Sequence, residues 1–125
     1  MKSVLIDSGI LIEVLRARDP AILARWDQLS ANNTPLLCSP VTVAEIWQGA
    51  RPHEHSAIRS FLGAIHTVPI DAQIGTRAGE YLRMFAKSHN VELGDALIAA
   101  TASVDNLELW TRNRRHYPMK DVAFY

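Results

Sequence analysis

Three acidic residues border apolar segments of this sequence. Asp7 directly follows the apolar run Val4–Ile6, Glu45 borders the apolar stripe of an expected helix, and Asp95 opens an almost wholly apolar helix. Carboxylates that converge raise one another's pKa unless a cation lies between them. Mg²⁺ and Mn²⁺ take oxygen ligands and leave room for a phosphate and an attacking water. The three acids are therefore candidate ligands of a divalent cation.

Each acid also has a simpler explanation when it is taken alone. Asp7 can be a helix N-cap, and Glu45 can be a solvated glutamate at the edge of its stripe. Asp95 can complement the dipole at a helix N-terminus. All three together, from a strand end and two helices, favour a shared site.

A fourth polar position follows a later apolar run in "LELWTRNRRHYP". Asn113 stands at the mouth of the strand expected at 107–110, where its amide can orient a water or a ligand, and Thr111 adds a hydroxyl. The alternative is that Asn113 is a plain turn residue, because Asn is favoured in such loops.

The elements that must position these side chains alternate between strands and helices. Strands are expected at 4–6, 36–38 and 107–110, within "HTVPI" and within "DVAFY". Helices are expected after Ser8, from Pro20, from Pro40, within "HEHSAIRSFLGAI", after the N-cap Asp71 and within "VELGDALIAATASVDN". This alternation predicts an α/β fold with a parallel sheet between helices. Ligands bind at the carboxyl ends of such strands, where the sequence puts Asp7.

Length and composition predict one domain over residues 1–125, with an even balance of 13 basic and 13 acidic residues. A neutral balance argues against coating nucleic acid through bulk charge but not against a nuclease. Cys38 is the only cysteine, so no internal disulfide can form, and no apolar stretch approaches the length of a membrane span. We expect a cytoplasmic protein without a membrane segment.

With these positions in order, the chain resembles the PIN-domain ribonucleases, and most closely the VapC toxins of toxin–antitoxin pairs. The matching stretches are "VLIDSGILIEVLR", "SPVTVAEIWQGAR", "LGDALIAATA" and "LWTRNRRHYP", which cover essentially the whole chain. The resemblance implies a PIN-like three-layer α/β/α sandwich with about five parallel strands, a homodimer, and an acidic pocket that uses Mg²⁺ or Mn²⁺.

The resemblance also implies an endoribonuclease that hydrolyses RNA phosphodiester bonds and is held by a cognate antitoxin. Asp7 and Asp95 would then hold the metal directly or through water, and Glu45 would complete the pocket and orient or deprotonate the attacking water. Asn113 and Thr111 would position water or metal ligands. The fourth position is often Asp in this family, so Asn113 lowers the charge of the pocket by one and weakens the case for a second metal.

Basic residues near these positions are candidates for contact with RNA, because guanidinium groups suit phosphate geometry. They are Arg112, Arg114, Arg115 and His116 in the loop and Arg16 and Arg18 after the first helix. The alternative is a solvated loop. The helices at 19–29 and 40–50, with Trp26 and Trp47, are candidates for an antitoxin groove, although each Trp lies on a helical stripe that also suits the core.

Three other functions compete with this interpretation. The first is a catalytically silent PIN module that binds RNA or a protein partner, which has little reason to keep acids close to a polyanion. The second is a phosphatase with an aspartyl-phosphate on Asp7, which would resemble its class in a second Asp two positions on, where this chain has Gly9. The third is a purely structural domain, which leaves the polar positions unexplained.

Overall fold

A computed structural model describes residues 2–125 and contains a parallel sheet of five strands. The strands are β1 (Val4–Ile6), β2 (Leu36–Cys38), β3 (His66–Thr67), β4 (Glu108–Trp110) and β5 (Ala123–Phe124), in the order β3-β2-β1-β4-β5. Every pairing in this part of the chain is parallel. The predicted sheet is confirmed.

Six α-helices join these strands within residues 2–125. They are α1 (Ser8–Arg16), α2 (Pro20–Ala31), α3 (Pro40–Gln48), α4 (His55–Gly63), α5 (Ala72–His89) and α6 (Leu93–Val104). Local chemistry explains their starts: Asp19 accepts hydrogen bonds from the backbone N–H groups of Ala21 (3.0 Å) and Ile22 (3.2 Å). Asp71 caps α5 in the same way, through the backbone N–H of Ile74 at 2.9 Å.

Two short segments differ from expectation. The segment expected to be the start of the fourth helix is a 3-10 turn at Pro52–Glu54, so α4 begins only at His55. The "RNRRHYP" loop contains a 3-10 turn at Arg114–His116. Both are single turns that contain no apolar stripe, which is the signal that helix prediction relies on.

The sheet separates two apolar clusters because neighbouring residues on each strand point to opposite faces. On one face Leu5 and Leu109 pack against α5 and α6. On the other face Ile6, Cys38 and Trp110 pack among α1 to α4. These layers confirm the predicted three-layer α/β/α sandwich. None of the helices described between residues 2 and 125 has the length and apolar character needed to cross a bilayer.

Candidate active site

The strand order creates a crevice between β1 and β4. From β1 the chain moves outward through β2 and β3, and it then returns to the other side of β1 for β4 and β5. Ligands bind at the carboxyl ends of strands at such a reversal. Ile6 pairs with Trp110 in register, and the backbone N–H of Asp7 donates to the Trp110 carbonyl at 3.0 Å. Asp7 and Thr111, the residues that follow these two strands, therefore stand side by side at the crevice.

Asp7 is held by three hydrogen bonds. Its Oδ1 accepts from the backbone N–H of Ser8 at 2.8 Å, which caps α1. Its Oδ2 accepts from the Thr111 hydroxyl at 2.9 Å and from the Tyr117 hydroxyl at 3.0 Å. Thr111 in turn accepts from the backbone N–H of Asn113 at 3.1 Å. The carboxylate is therefore fixed in place by groups from α1 and from the segment after β4.

Glu45 reaches the crevice from α3. It is an exposed residue, but the pocket partly desolvates its carboxyl group. That burial raises the pKa of Glu45, the charges of Asp7 and Asp95 raise it further, and a hydrogen bond with Ser8 lowers it. Because the charges of Asp7 and Asp95 raise the pKa of Glu45, the three carboxylates lie close together in the crevice.

Asp95 reaches the same crevice from the first turn of α6. Burial raises its pKa, and the charges of Asp7 and Glu92 raise it further. A hydrogen bond from the backbone N–H of Glu92, at 3.4 Å, and the nearby His116 both lower it. Asp95 therefore acts as a capping residue and faces the other acids at the same time.

One pocket of about 310 Å³ contains all four predicted polar positions. Its lining residues are Asp7, Ser8, Gly9, Glu45, Asn90, Glu92, Asp95, Asn113 and His116. The structure thus brings Asp7, Glu45, Asp95 and Asn113 together, while their roles stay predictions.

Glu92 and Tyr117 were not predicted as site residues. Glu92 adds a fourth acid at the N-cap of α6, three residues before Asp95. His116 was predicted beside the pocket as a candidate for contact with RNA, without a role in catalysis, and it lines the pocket. Tyr117 has no sequence signal, because a tyrosine after a loop is ordinary. Burial raises the pKa of its hydroxyl, and Asp7 and Asp95 raise it further, so this group stays a hydrogen-bond donor.

The donor set fits a hard divalent cation. The pocket offers carboxylate and amide oxygens, which suit Mg²⁺ and Mn²⁺, and two of its acids have a pKa raised partly by like charge. Within residues 2–125, however, no three His, Cys, Asp or Glu side chains are already as close as a finished metal site requires. Asp7 and Asp95 would hold such an ion with water completing its shell.

The predicted RNA-contacting arginines are spread over the surface. Arg112 donates to Glu13 Oε1 at 3.1 Å, an oxygen that also accepts from Arg18 at 2.8 Å. Arg114 donates to the Tyr125 carbonyl at 3.2 Å.

The two other predicted arginines are not part of this arrangement. Arg115 is exposed and does not line the acidic pocket, although its neighbour His116 does. Arg16 instead forms an ion pair with Glu54 at 3.5 Å in a separate cleft among α1, α3 and α4, so the structure does not bring it to the acidic pocket.

Comparison with known proteins agrees with this geometry. Residues 4–125 match the model of the PIN domain. The chain is 40% identical to "Ribonuclease VapC10" of Mycobacterium tuberculosis over 121 residues, which are 93% of this chain and 86% of that one.

Solved structures of similar fold include two complexes. A DNA-bound VapBC from Salmonella typhimurium matches with a TM-score of 0.83 at 18% identity, covering 100% of this chain and 98% of that one. A toxin–antitoxin complex from Klebsiella pneumoniae matches with a TM-score of 0.73 at 26% identity, covering 97% and 96%.

The chain belongs to the PIN-domain family, and its fold is that of a PIN domain. Within that family, the relative it resembles at 40% identity is a ribonuclease of the VapC type.

Proposed function

We propose that this protein is a metal-dependent endoribonuclease that acts as the toxin of a toxin–antitoxin pair. The observation that carries the proposal is the convergence of Asp7, Glu45 and Asp95 on one pocket, where their charges raise the pKa of Glu45 and Asp95. The similarity to a protein named as a ribonuclease supports RNA as the substrate.

The chain's own residues divide the work of hydrolysis. Asp7 and Asp95 would hold the cation, and a bound Mg²⁺ or Mn²⁺ would supply an activated water and offset charge on the phosphate. Glu45 orients the attacking water and accepts its proton, a role that suits a carboxylate with a raised pKa. Thr111 and Asn113 would position the ligands. Water attacks the phosphorus directly, the bond from phosphorus to the leaving oxygen breaks, and that oxygen takes a proton from solvent, so no covalent enzyme intermediate forms.

The RNA backbone would leave the pocket across Thr111. On the far side of Thr111 lies a second pocket of about 330 Å³ that is lined by Arg25 and Arg112 as well as by Asp19. Arginine is well suited to phosphate contacts. With Arg114 and Arg115 nearby in sequence, we infer that this side of the crevice binds the substrate. Replacing Arg25 by Gln should weaken RNA binding, which a filter-binding assay at low salt would measure.

The cleft among α1, α3 and α4 holds only about 30 Å³, so an antitoxin segment would pack across its apolar rim rather than enter it. Its walls are mostly apolar, including Ile12, Leu15, Ile46 and Ile58, with Arg16 and Glu54 at its edge. Trp26 and Trp47 pack against the same apolar cluster. The solved toxin–antitoxin complex of similar fold supports a protein partner for this chain. Co-purification with a candidate antitoxin, lost on replacing Leu15 by Asp, would test this.

We also propose a homodimer. Among residues 2–125, Leu93 and Met84 are the exposed large apolar residues, at 62% and 64% exposure, and Leu93 lies two positions before Asp95. Single exposed apolar side chains are also ordinary on monomers, so the proposal rests on the resemblance and Leu93 is the position chosen to test it. Sedimentation equilibrium of the wild type and of Leu93→Ser would test this, and a monomeric wild type would contradict it.

RNA cleavage with Mg²⁺, Mn²⁺ or EDTA tests the main proposal. We expect cleavage of a labelled structured RNA pool that requires metal and falls at least about 100-fold in Asp7→Asn and in Asp95→Asn, since even supporting contacts of metal ligands are worth about 10- to 100-fold. Asn still caps a helix, so Asp7→Asn retains the start of α1. Asp27→Asn, at an exposed position of α2, is the matched control and should cleave normally.

The proposal would be contradicted by a folded wild-type protein that cleaves no RNA with either metal and binds RNA as tightly as Asp7→Asn and Asp95→Asn do. That result would favour the catalytically silent PIN module that binds RNA or a protein partner.

A further inference from the structure

Tyr117 is a buried tyrosine whose hydroxyl, within residues 2–125, has a hydrogen bond with Asp7 alone. It follows the 3-10 turn Arg114–His116, is 3% exposed and belongs to the apolar cluster on the α5–α6 face. Its hydroxyl donates to Asp7 Oδ2 at 3.0 Å. A phenylalanine would fill nearly the same space without a hydroxyl. The polar contact, rather than the packing, is therefore what tyrosine adds here.

The hydrogen bonds of Asp7 are divided unequally between its two oxygens. Each carboxylate oxygen can accept about two hydrogen bonds. Oδ2 accepts two, from Thr111 at 2.9 Å and from Tyr117, whereas Oδ1 accepts one, from the backbone N–H of Ser8. Oδ2 is thus saturated, and Oδ1 is the oxygen that retains a free position.

We propose that Tyr117 is a positioning residue that, together with Thr111, occupies Asp7 Oδ2 and directs the divalent cation to Oδ1 alone. This inference rests on the proposed function. The buried ring of Tyr117 holds its hydroxyl in one place, so the Asp7 carboxylate cannot rotate toward a second mode of coordination. Supporting hydrogen bonds of this kind orient metal ligands and are worth about 10- to 100-fold in metal affinity or activity.

Mn²⁺ binding provides a test that does not depend on cleavage. The dissociation constant of Mn²⁺ is measured by electron paramagnetic resonance of free Mn²⁺, for wild type, Tyr117→Phe and Tyr81→Phe. We expect Tyr117→Phe to bind Mn²⁺ about 10-fold more weakly.

Tyr81→Phe is the matched control. Tyr81 is also buried, at 4% exposure, but its hydroxyl donates to Asp121 Oδ1 at 2.7 Å and lies 2.8 Å from the Ser103 hydroxyl, and it does not line the acidic pocket. It should bind Mn²⁺ as the wild type does. If Tyr117→Phe does not fold, Thr111→Val removes the other donor to Oδ2 and should weaken Mn²⁺ binding similarly.

The outcomes separate this inference from the proposed function. If the wild type binds Mn²⁺ and Tyr117→Phe binds it equally well, the positioning role is overturned and the nuclease proposal stands. If the wild type cleaves RNA in EDTA and binds no Mn²⁺, the metal-dependent mechanism fails and the positioning role fails with it. Weaker binding in Tyr117→Phe but not in Tyr81→Phe supports the inference.

Discussion

At the scale of single residues, Asp7 shows that a capping role and a role in the pocket are compatible. One oxygen caps α1, and the other is held by Thr111 and Tyr117. The same holds for Asp95, which accepts a hydrogen bond from the backbone of Glu92 and still faces Asp7. Asp7 and Asp95 therefore stabilise helix starts, as their simpler explanations predict, and they line the pocket as well.

The crowding of acids predicts that Glu45→Gln stabilises the metal-free protein near neutral pH. The raised pKa of Glu45 means that the folded state binds more protons than the unfolded state between the two pKa values. The free energy of unfolding therefore falls as pH rises through that window. We expect Glu45→Gln to be more stable by about 0.5 kcal/mol in EDTA at about pH 7, the size typical of partly exposed charges.

Urea unfolding at low salt measures this difference, which should narrow as the pH falls below the usual pKa of glutamate. Glu80→Gln is the control, because Glu80 is an exposed glutamate that lies 3.8 Å from Arg77 rather than among acids. A Glu45→Gln protein no more stable than the wild type would show that the repulsion among these acids has no effect on folding.

At the scale of elements, the helix ends show one local conflict. In the part of the chain that the structure describes, four residues other than glycine adopt positive φ, and three of them are asparagines, which tolerate this conformation well. The fourth is Ala17, at φ 52°, which ends α1. The Cβ of alanine crowds the backbone there, and a glycine would not.

Ala17→Gly is therefore expected to raise the free energy of unfolding by about 0.5 kcal/mol, since relief of the αL strain exceeds the entropy that glycine loses on folding. Ala24→Gly, at an exposed position inside α2, should lower it by about 1 kcal/mol. Urea unfolding of both variants measures the opposite signs. If both substitutions destabilised the protein, the strain at Ala17 would be negligible.

At the scale of the whole molecule, the central sheet lies between the two apolar clusters and contributes residues to each of them. Leu5 belongs to the α5–α6 cluster, and the neighbouring Ile6 belongs to the α1–α4 cluster. All three tryptophans, Trp26, Trp47 and Trp110, belong to or pack against the α1–α4 cluster. Tryptophan fluorescence therefore reports directly on one layer of helices, whereas circular dichroism reports on both.

Ile98→Ala tests whether the two layers unfold together. Ile98 is buried in α6, on the opposite side of the sheet from the tryptophans, and its truncation should cost about 2 to 5 kcal/mol. Both fluorescence and circular dichroism should shift to the same lower urea midpoint, as for a single cooperative unit. Leu23→Ala, in α2 but outside both clusters, should cost less than about 1 kcal/mol. A fluorescence transition unmoved by Ile98→Ala would show that the layers unfold separately.

Sequence patterns predicted the elements whose signals are local. The N-caps Asp19 and Asp71 and the proline after Ser39 act within a few residues, so they define where α2, α3 and α5 begin. The apolar runs of β1 and β4 are equally local. The candidate acids were also found in this way, because each interrupts or borders an apolar pattern.

By itself, then, the sequence determined the order of strands and helices and the positions of the acids, since these depend on neighbours along the chain. Only the tertiary structure decided which strands are adjacent, that Arg112 pairs with Glu13 of α1, and that Tyr117 donates a hydrogen bond to Asp7. Tyr117 and Asp7 are 110 positions apart, and no short-range pattern encodes a hydrogen bond across that separation. Such contacts form only when the sheet brings the ends of β1 and β4 together.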